Sequence, residues 1–237
     1  QMGCYGYNTV GDRYTGTVVE TINFKITSRG DVQDTNFTTT AGAIQTSYGG
    51  GSLDAYVAKL NNTGSSLLSF TYLGGSGSDD ARGLSIDRYG NIYVAGITSS
   101  ANFPVTSCSF QTSYGGSEDV FISKMTNNLT AIIYSSYFGG SNTDQLTTDI
   151  TLDHAGNIVF TGRTISTNFP ITSGAFRTTF NGGANDGFIA KIDMSYLSSS
   201  IVTGTLSTTT FCGGGTINVP FTSSCPFNYG NIFLKHR

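Results

Sequence analysis

Gln45-Thr46-Ser47-Tyr48-Gly49-Gly50 returns unchanged as Gln111-Thr112-Ser113-Tyr114-Gly115-Gly116, and in looser form as Arg177-Thr178-Thr179-Phe180-Asn181-Gly182, with the three copies evenly spaced along the chain. A fixed period of this length sets the architecture before any single residue is interpreted. Asn36-Phe37, Asn102-Phe103-Pro104 and Asn168-Phe169-Pro170 keep the same spacing, as do Gly30, Gly96 and Gly162. Tyr72-Leu73-Gly74-Gly75-Ser76 returns as Tyr137-Phe138-Gly139-Gly140-Ser141 one position early, which places a one-residue insertion in the loop that follows.

Within one period the apolar runs fall into two hairpins. The first pairs residues 55–60 with residues 67–73 across the turn-forming Asn61-Asn62-Thr63-Gly64. The second pairs residues 83–86 with residues 91–95 across Asp87-Arg88-Tyr89-Gly90, where Asp87 can accept backbone hydrogen bonds and Gly90 can take positive φ. Asp153-His154-Ala155-Gly156-Asn157 repeats that turn chemistry. Ile92-Tyr93-Val94-Ala95 is apolar on both faces, as a strand covered on both sides requires. Four strands per period, packed face to face with those of the next, make an all-β fold, a partial β-propeller of four-stranded blades. A parallel β-helix fits less well, because its coils are shorter and lack consecutive tight hairpins.

Composition agrees. Glycine supplies 31 of 237 residues and only 11% are charged, the balance of many short strands joined by turns, while 12% aromatic residues suffice for a packed core. A net charge of −3 offers no basic stripe to neutralise phosphates, so no nucleic-acid partner is expected. No apolar run is long enough for a membrane helix, so no membrane insertion is expected, and any export signal lies outside this chain.

These residues resemble the bacterial SBBP repeats, named for seven-bladed β-propellers. The matching elements are Asp54-Ala55-Tyr56-Val57-Ala58-Lys59-Leu60, Tyr72-Leu73-Gly74-Gly75-Ser76, residues 87–94, Asn102-Phe103-Pro104 and the Gln-Thr-Ser-Tyr-Gly-Gly box, and the likeness spans roughly residues 25 to 195. It implies a blade fold in a secreted or cell-surface bacterial protein and no defined reaction. Residues 1–198 are therefore read as the propeller repeats. Residues 199–237 resemble the opening of Ig-like β-sandwich modules of secreted Bacteroidota proteins, cut short because a sandwich needs about seven strands. Roughly three blades stand against the 4 to 8 that close a ring. Either the natural protein is longer, the favoured reading, or several chains assemble.

Candidate chemistry is sparse. Asp79 and Asp144 recur after the Gly-Gly-Ser turns, with Asp80 beside the first, but Asp80 becomes Gln145 in the next copy and Ca²⁺ wants six to eight oxygen ligands, so turn capping is favoured and no metal is expected. Asp54, Asp119 and Asp186 recur just before a strand and are read as caps of backbone donors. His154 sits in a hairpin turn where the preceding copy holds Arg88, with no partner to orient it as a base. Nucleophile elbows, phosphate loops and zinc-protease motifs are missing, so neither catalytic residues nor cofactors are expected. Phe103, Phe110 and Tyr114 are read as anchors of a long loop onto their own blade. Cys212 and Cys225 lie within hairpin reach and could form a disulfide; Cys108 reads as an incidental loop residue. The expected function is non-catalytic: adhesion, scaffolding, or binding of carbohydrate or protein at the cell surface. The alternatives are a propeller lyase or hydrolase whose catalytic residues lie in other blades, and a filament subunit made by inter-chain assembly.

Overall fold

The computed structural model describes residues 37–194 and the short strands flanking them. The strands are β1 (Gly6–Tyr7), β2 (Arg13–Val19), β3 (Phe24–Ser28), β4 (Ala55–Leu60), β5 (Leu67–Leu73), β6 (Asp79–Ile86), β7 (Ile92–Thr98), β8 (Asp119–Met125), β9 (Ile132–Phe138), β10 (Asp144–Leu152), β11 (Ile158–Thr164), β12 (Asp186–Ile192), β13 (Val202–Thr203), β14 (Phe221–Thr222) and β15 (Ile232–Lys235). Among the described residues the fold is all-β, a set of antiparallel sheets that do not close into a ring. The sheets run β1-β2-β3-β4-β5, β6-β7-β8-β9 and β10-β11-β12-β15, with β13-β14 as a separate pair. Ile232–Lys235 thus lies beside β12, where it pairs with Gly187–Ala190. Apart from these strands, the segment read as Ig-like, with Cys212 and Cys225, lies outside the described residues.

The expected first hairpin forms with the expected bounds, and the second is longer, Asp79–Ile86 pairing with Ile92–Thr98. One blade takes its two hairpins from different periods: β6 and β7 come from one, β8 and β9 from the next. The sequence repeat and the blade are out of phase because the long loop 99–118 runs inside a sheet, whereas the short Gly-Gly-Ser crossover 74–78 steps from one sheet to the next.

Both hairpin turns behave as their residues require. Gly90 and Gly156 take φ of 82° and 84°. Asp87 Oδ1 accepts the backbone N–H groups of Tyr89 and Asn91, and Asp153 Oδ1 those of Ala155 and Asn157. The carboxylate thus organises the turn while the glycine supplies the left-handed backbone.

The central sheet is buried on both faces. Ile92, Val94, Phe121, Met125 and Tyr137 meet Ala55, Val57 and Leu73 of the preceding sheet on one side. Tyr93, Ala95, Val120, Ile122, Tyr134 and Phe138 meet Ile150, Ile158, Phe160 and Phe188 of the following sheet on the other. Period-two alternation therefore sorts one apolar run into two cores. The first strands of successive blades, β6 and β10, are also tied by polar contacts. Arg82, at a bulge in β6, donates to the Leu146 carbonyl at 2.9 Å, and the Leu84 N–H donates to Asp149 Oδ1 at 2.9 Å. In β12, by contrast, Ile189 is 40% exposed where its counterpart Ile122 is fully buried, because no further sheet covers it among the described residues.

Phe103, Phe110 and Tyr114 anchor the long loop as expected. Phe103 lies 4.5 Å from the Phe121 ring, Phe110 lies 5.2 Å from Phe138, and Tyr114 lies 5.8 Å from Tyr137. The Phe103 N–H also donates to the Tyr137 hydroxyl at 2.9 Å.

Candidate functional site

Two places gather polar residues, one at each end of the blades. At the crossover end, the aspartates that recur with the period are almost completely buried: Asp54, Asp79, Asp119, Asp144 and Asp186. Asp79 Oδ2 accepts from the Gly75 N–H and the Ser100 hydroxyl, both at 2.7 Å, and Thr98 donates its hydroxyl to Oδ1. Asp144 repeats this with the Gly140 N–H and Ser166 at 2.6 and 2.8 Å. Each ties a crossover to the far end of the strand beside it. The strand-leading aspartates cap loops: Asp54 takes the Gly49 N–H at 2.5 Å, Asp119 the Gly115 N–H at 2.7 Å and Asp186 the Asn181 N–H at 2.8 Å.

The recurring Gln-Thr-Ser-Tyr-Gly-Gly and Asn-Phe-Pro boxes gain their explanation here. Gln45 Oε1 accepts the Gly74 N–H while its amide donates to Asp54, and Gln111 does the same for Gly139 and Asp119. Asn102 Oδ1 accepts from both the backbone and the hydroxyl of Ser76; Asn168 does so for Ser141. Gly74 and Gly139 lie between two carboxylates each, Asp54 with Asp79 and Asp119 with Asp144, and an added Cβ would collide with both.

Burial is the main reason these carboxyls hold their protons more tightly than usual. It pushes Asp119 up to about 7 against the opposing Gly115 N–H, with the charge of Asp144 adding to the rise. Asp54 rises to about 6 by burial, with the Gly49 N–H opposing and Asp79 adding. Asp79 and Asp144 are raised by burial as well. A carboxyl whose pKa is higher folded than unfolded stabilises the fold below its unfolded value, and that contribution is lost as pH rises through the folded value. The melting temperature is therefore expected to fall between pH 5 and pH 8. Asp119→Asn, which mimics the protonated carboxyl, should flatten the slope in a calorimetric pH series. An unchanged slope would show that the burial of Asp119 is not what sets it.

At the opposite end, the turns 87–91 and 153–157 of adjacent blades border a cleft of about 750 Å³ whose lining includes Arg88, Tyr89, Lys124, Ile133, His154 and Met194. Lys124 Nζ lies 3.4 Å from Asp87 Oδ2 and 4.8 Å from the centre of the Tyr93 ring. Burial opposes ionisation of Asp87, but the side-chain and backbone donors of Asn91, the Tyr89 N–H and the Lys124 charge outweigh it and hold the carboxyl low. Asp153 is held low too, first by Lys191 at 2.6 Å and then by Asn157.

Sequence reasoning singled out His154 and the aspartates, and the structure separates them: His154 is exposed in the cleft, the buried aspartates are at the other end. Asp80 pairs with Arg82 at 3.1 Å rather than with Asp79. Lys124 and Tyr89 went unremarked; the signal that could have found Tyr89 is that Arg88-Tyr89 is replaced by His154-Ala155 one period later. Cys108 is engaged in a disulfide, so it is not an incidental loop residue. Among the described residues no group of three or more His, Cys, Asp or Glu side chains is arranged to hold a metal ion, and no helix is long and apolar enough to cross a membrane.

A model of the SBBP beta-propeller repeat family matches residues 70–104, the stretch from the end of β5 through the crossover, β6 and β7 to the Asn-Phe-Pro box. No curated protein matches the chain in sequence.

Proposed function

We propose that this chain, which carries a β-propeller repeat, is a non-catalytic module of a secreted or cell-surface bacterial protein serving adhesion, scaffolding or ligand binding. One observation carries the reading. The aspartates that recur with the period are buried and each accepts hydrogen bonds that brace a crossover or loop, while the residues that differ between copies, Arg88-Tyr89 and His154-Ala155, border an open cleft on the sheet scaffold. Binding residues concentrate on loops held by such scaffolds. The disulfide of Cys108 supports an oxidising compartment, where such bonds persist. We read the finer features from the same resemblance: a blade of the seven-bladed type, a Bacteroidota source, and an Ig-like module from residue 199 onward.

Assembly has its own supporting observation in the 40% exposure of Ile189, a residue buried in the preceding copy. Further blades, from this chain or from others, would cover it, and completion between chains is the filament reading. The test of the main proposal is a glycan-array and cell-surface pull-down screen with the purified chain, with any glycan bound then assayed for cleavage. Retention without turnover is expected. Turnover of a retained glycan would establish an enzyme instead.

A further inference from the structure

We propose that the cleft between turns 87–91 and 153–157 binds an acidic oligosaccharide, a chain bearing uronate carboxylates, with Tyr89 as its stacking platform and Arg88 as its anion partner. The proposal rests on the binding-module reading and names the ligand class of that module.

The charge pattern of the cleft points to an anion. The carboxylates of both turns are already satisfied: Asp87 and Asp153 each accept two backbone N–H groups and an asparagine amide, and each has a lysine beside it. Neither is left to repel a negative ligand. Arg88, exposed in its turn, has no carboxylate partner among the described residues. Its guanidinium lies 4.8 Å over the Tyr89 ring and donates to the Tyr89 hydroxyl at 2.6 Å. That contact pre-orders a planar fork whose remaining donors suit a carboxylate, so less freedom is lost on binding. His154 occupies the equivalent position on the facing turn and lines the same space.

Shape and surface narrow the class to a sugar. A space of about 750 Å³ falls within the range of small-molecule sites. Tyr89 is 68% exposed, so its ring is open to a ligand in the cleft. An apolar ring face beside polar hydrogen-bonding groups matches a pyranose, which has an apolar face and a polar edge. Ile133 and Met194 add apolar walls. Because Tyr89 is replaced by Ala155 in the next turn, the platform is not a general property of the blade plan.

The experiment is calorimetric titration of the full chain with trigalacturonic acid at low ionic strength, with maltotriose as the neutral control. Trigalacturonate is expected to bind once per chain and to weaken with added salt; maltotriose is expected to bind far more weakly. Arg88→Gln and Tyr89→Ala should each weaken trigalacturonate by roughly tenfold or more, the loss for a charge-assisted contact or a stacking ring. Both residues sit in an exposed turn, and an unchanged circular-dichroism melt would show that the fold is intact. Trigalacturonate binding indifferent to both variants would move the site elsewhere and overturn the proposal, as would equal affinity for maltotriose or the absence of binding. Those results leave the binding-module reading standing, whereas cleavage of the trisaccharide would overturn that reading itself.

Discussion

Gly74→Ala should destabilise the fold by about 3–5 kcal/mol, although it adds a single methyl group. The new Cβ would sit 2.7 Å from Asp54 Cγ, and 2.8 Å from both Asp54 Oδ1 and Asp79 Oδ2. Neither carboxylate can withdraw freely. Asp54 is held by the Gly49 N–H, and Asp79 by the Gly75 N–H and the Ser100 hydroxyl. Making room means breaking charge-assisted hydrogen bonds in a water-poor site, which adds to the overpacking cost. Gly139→Ala should behave alike, since Asp119 and Asp144 flank it in the same way. Gly64→Ala is the control: it too adds a methyl, but nothing lies within 4 Å, and its φ of 69° leaves only the left-handed penalty of about 1–2 kcal/mol. Denaturant melts of the three variants would check the ranking, and equal losses for Gly64 and Gly74 would contradict it.

Phe138→Ala should cost about 3–5 kcal/mol as well, for a different reason. Phe138 is fully buried, with its ring 5.2 Å from Phe110 and Phe160, 5.3 Å from Phe169 and 5.8 Å from Phe188. These partners come from its own long loop and from the following blade, so truncation opens a cavity where two blades meet. For a chain of this length the loss corresponds to a drop in melting temperature on the order of 10 °C. Phe138→Leu, which keeps most of the volume, should lose much less. A loss below about 1 kcal/mol for the alanine variant would mean that the blades are not joined through this ring.

Much of the fold was legible in the sequence, because the repeats place turn residues and apolar runs at fixed positions. The strand bounds 55–60 and 67–73 follow from Asn61 and Gly64 between two apolar runs, and Asp87 with Gly90 marks the second turn. The phase of the blade was not legible. Ile92-Tyr93-Val94-Ala95 is apolar throughout, so alternation could not say which sheet covers which face. The cores show it: Ile92 and Val94 face one neighbour, Tyr93 and Ala95 the other.

The site divides in the same way. Recurrence marked Asp54, Asp79, Asp119 and Asp144 as structural, but not that they pair across Gly74 and Gly139, because the partners of each pair lead different strands and meet only once a crossover brings them together. The cleft was harder still. Its walls are turns a full period apart, and Lys124 reaches Asp87 from a strand that belongs to the next sequence period. A residue's departure from the repeat, as at Tyr89, was the one mark visible beforehand.

The central claim is that the recurring polar residues serve the blade architecture, and amide hydrogen exchange tests it most directly at Gly75 and Gly140. Both sit in glycine-rich crossovers that would exchange at loop rates if the neighbouring aspartates were free for other work. Their N–H groups donate to Asp79 and Asp144 at 2.7 and 2.6 Å, so they should be protected nearly as well as the amides of the fully buried β7. Exchange at the rate of an exposed loop at both positions would contradict the account.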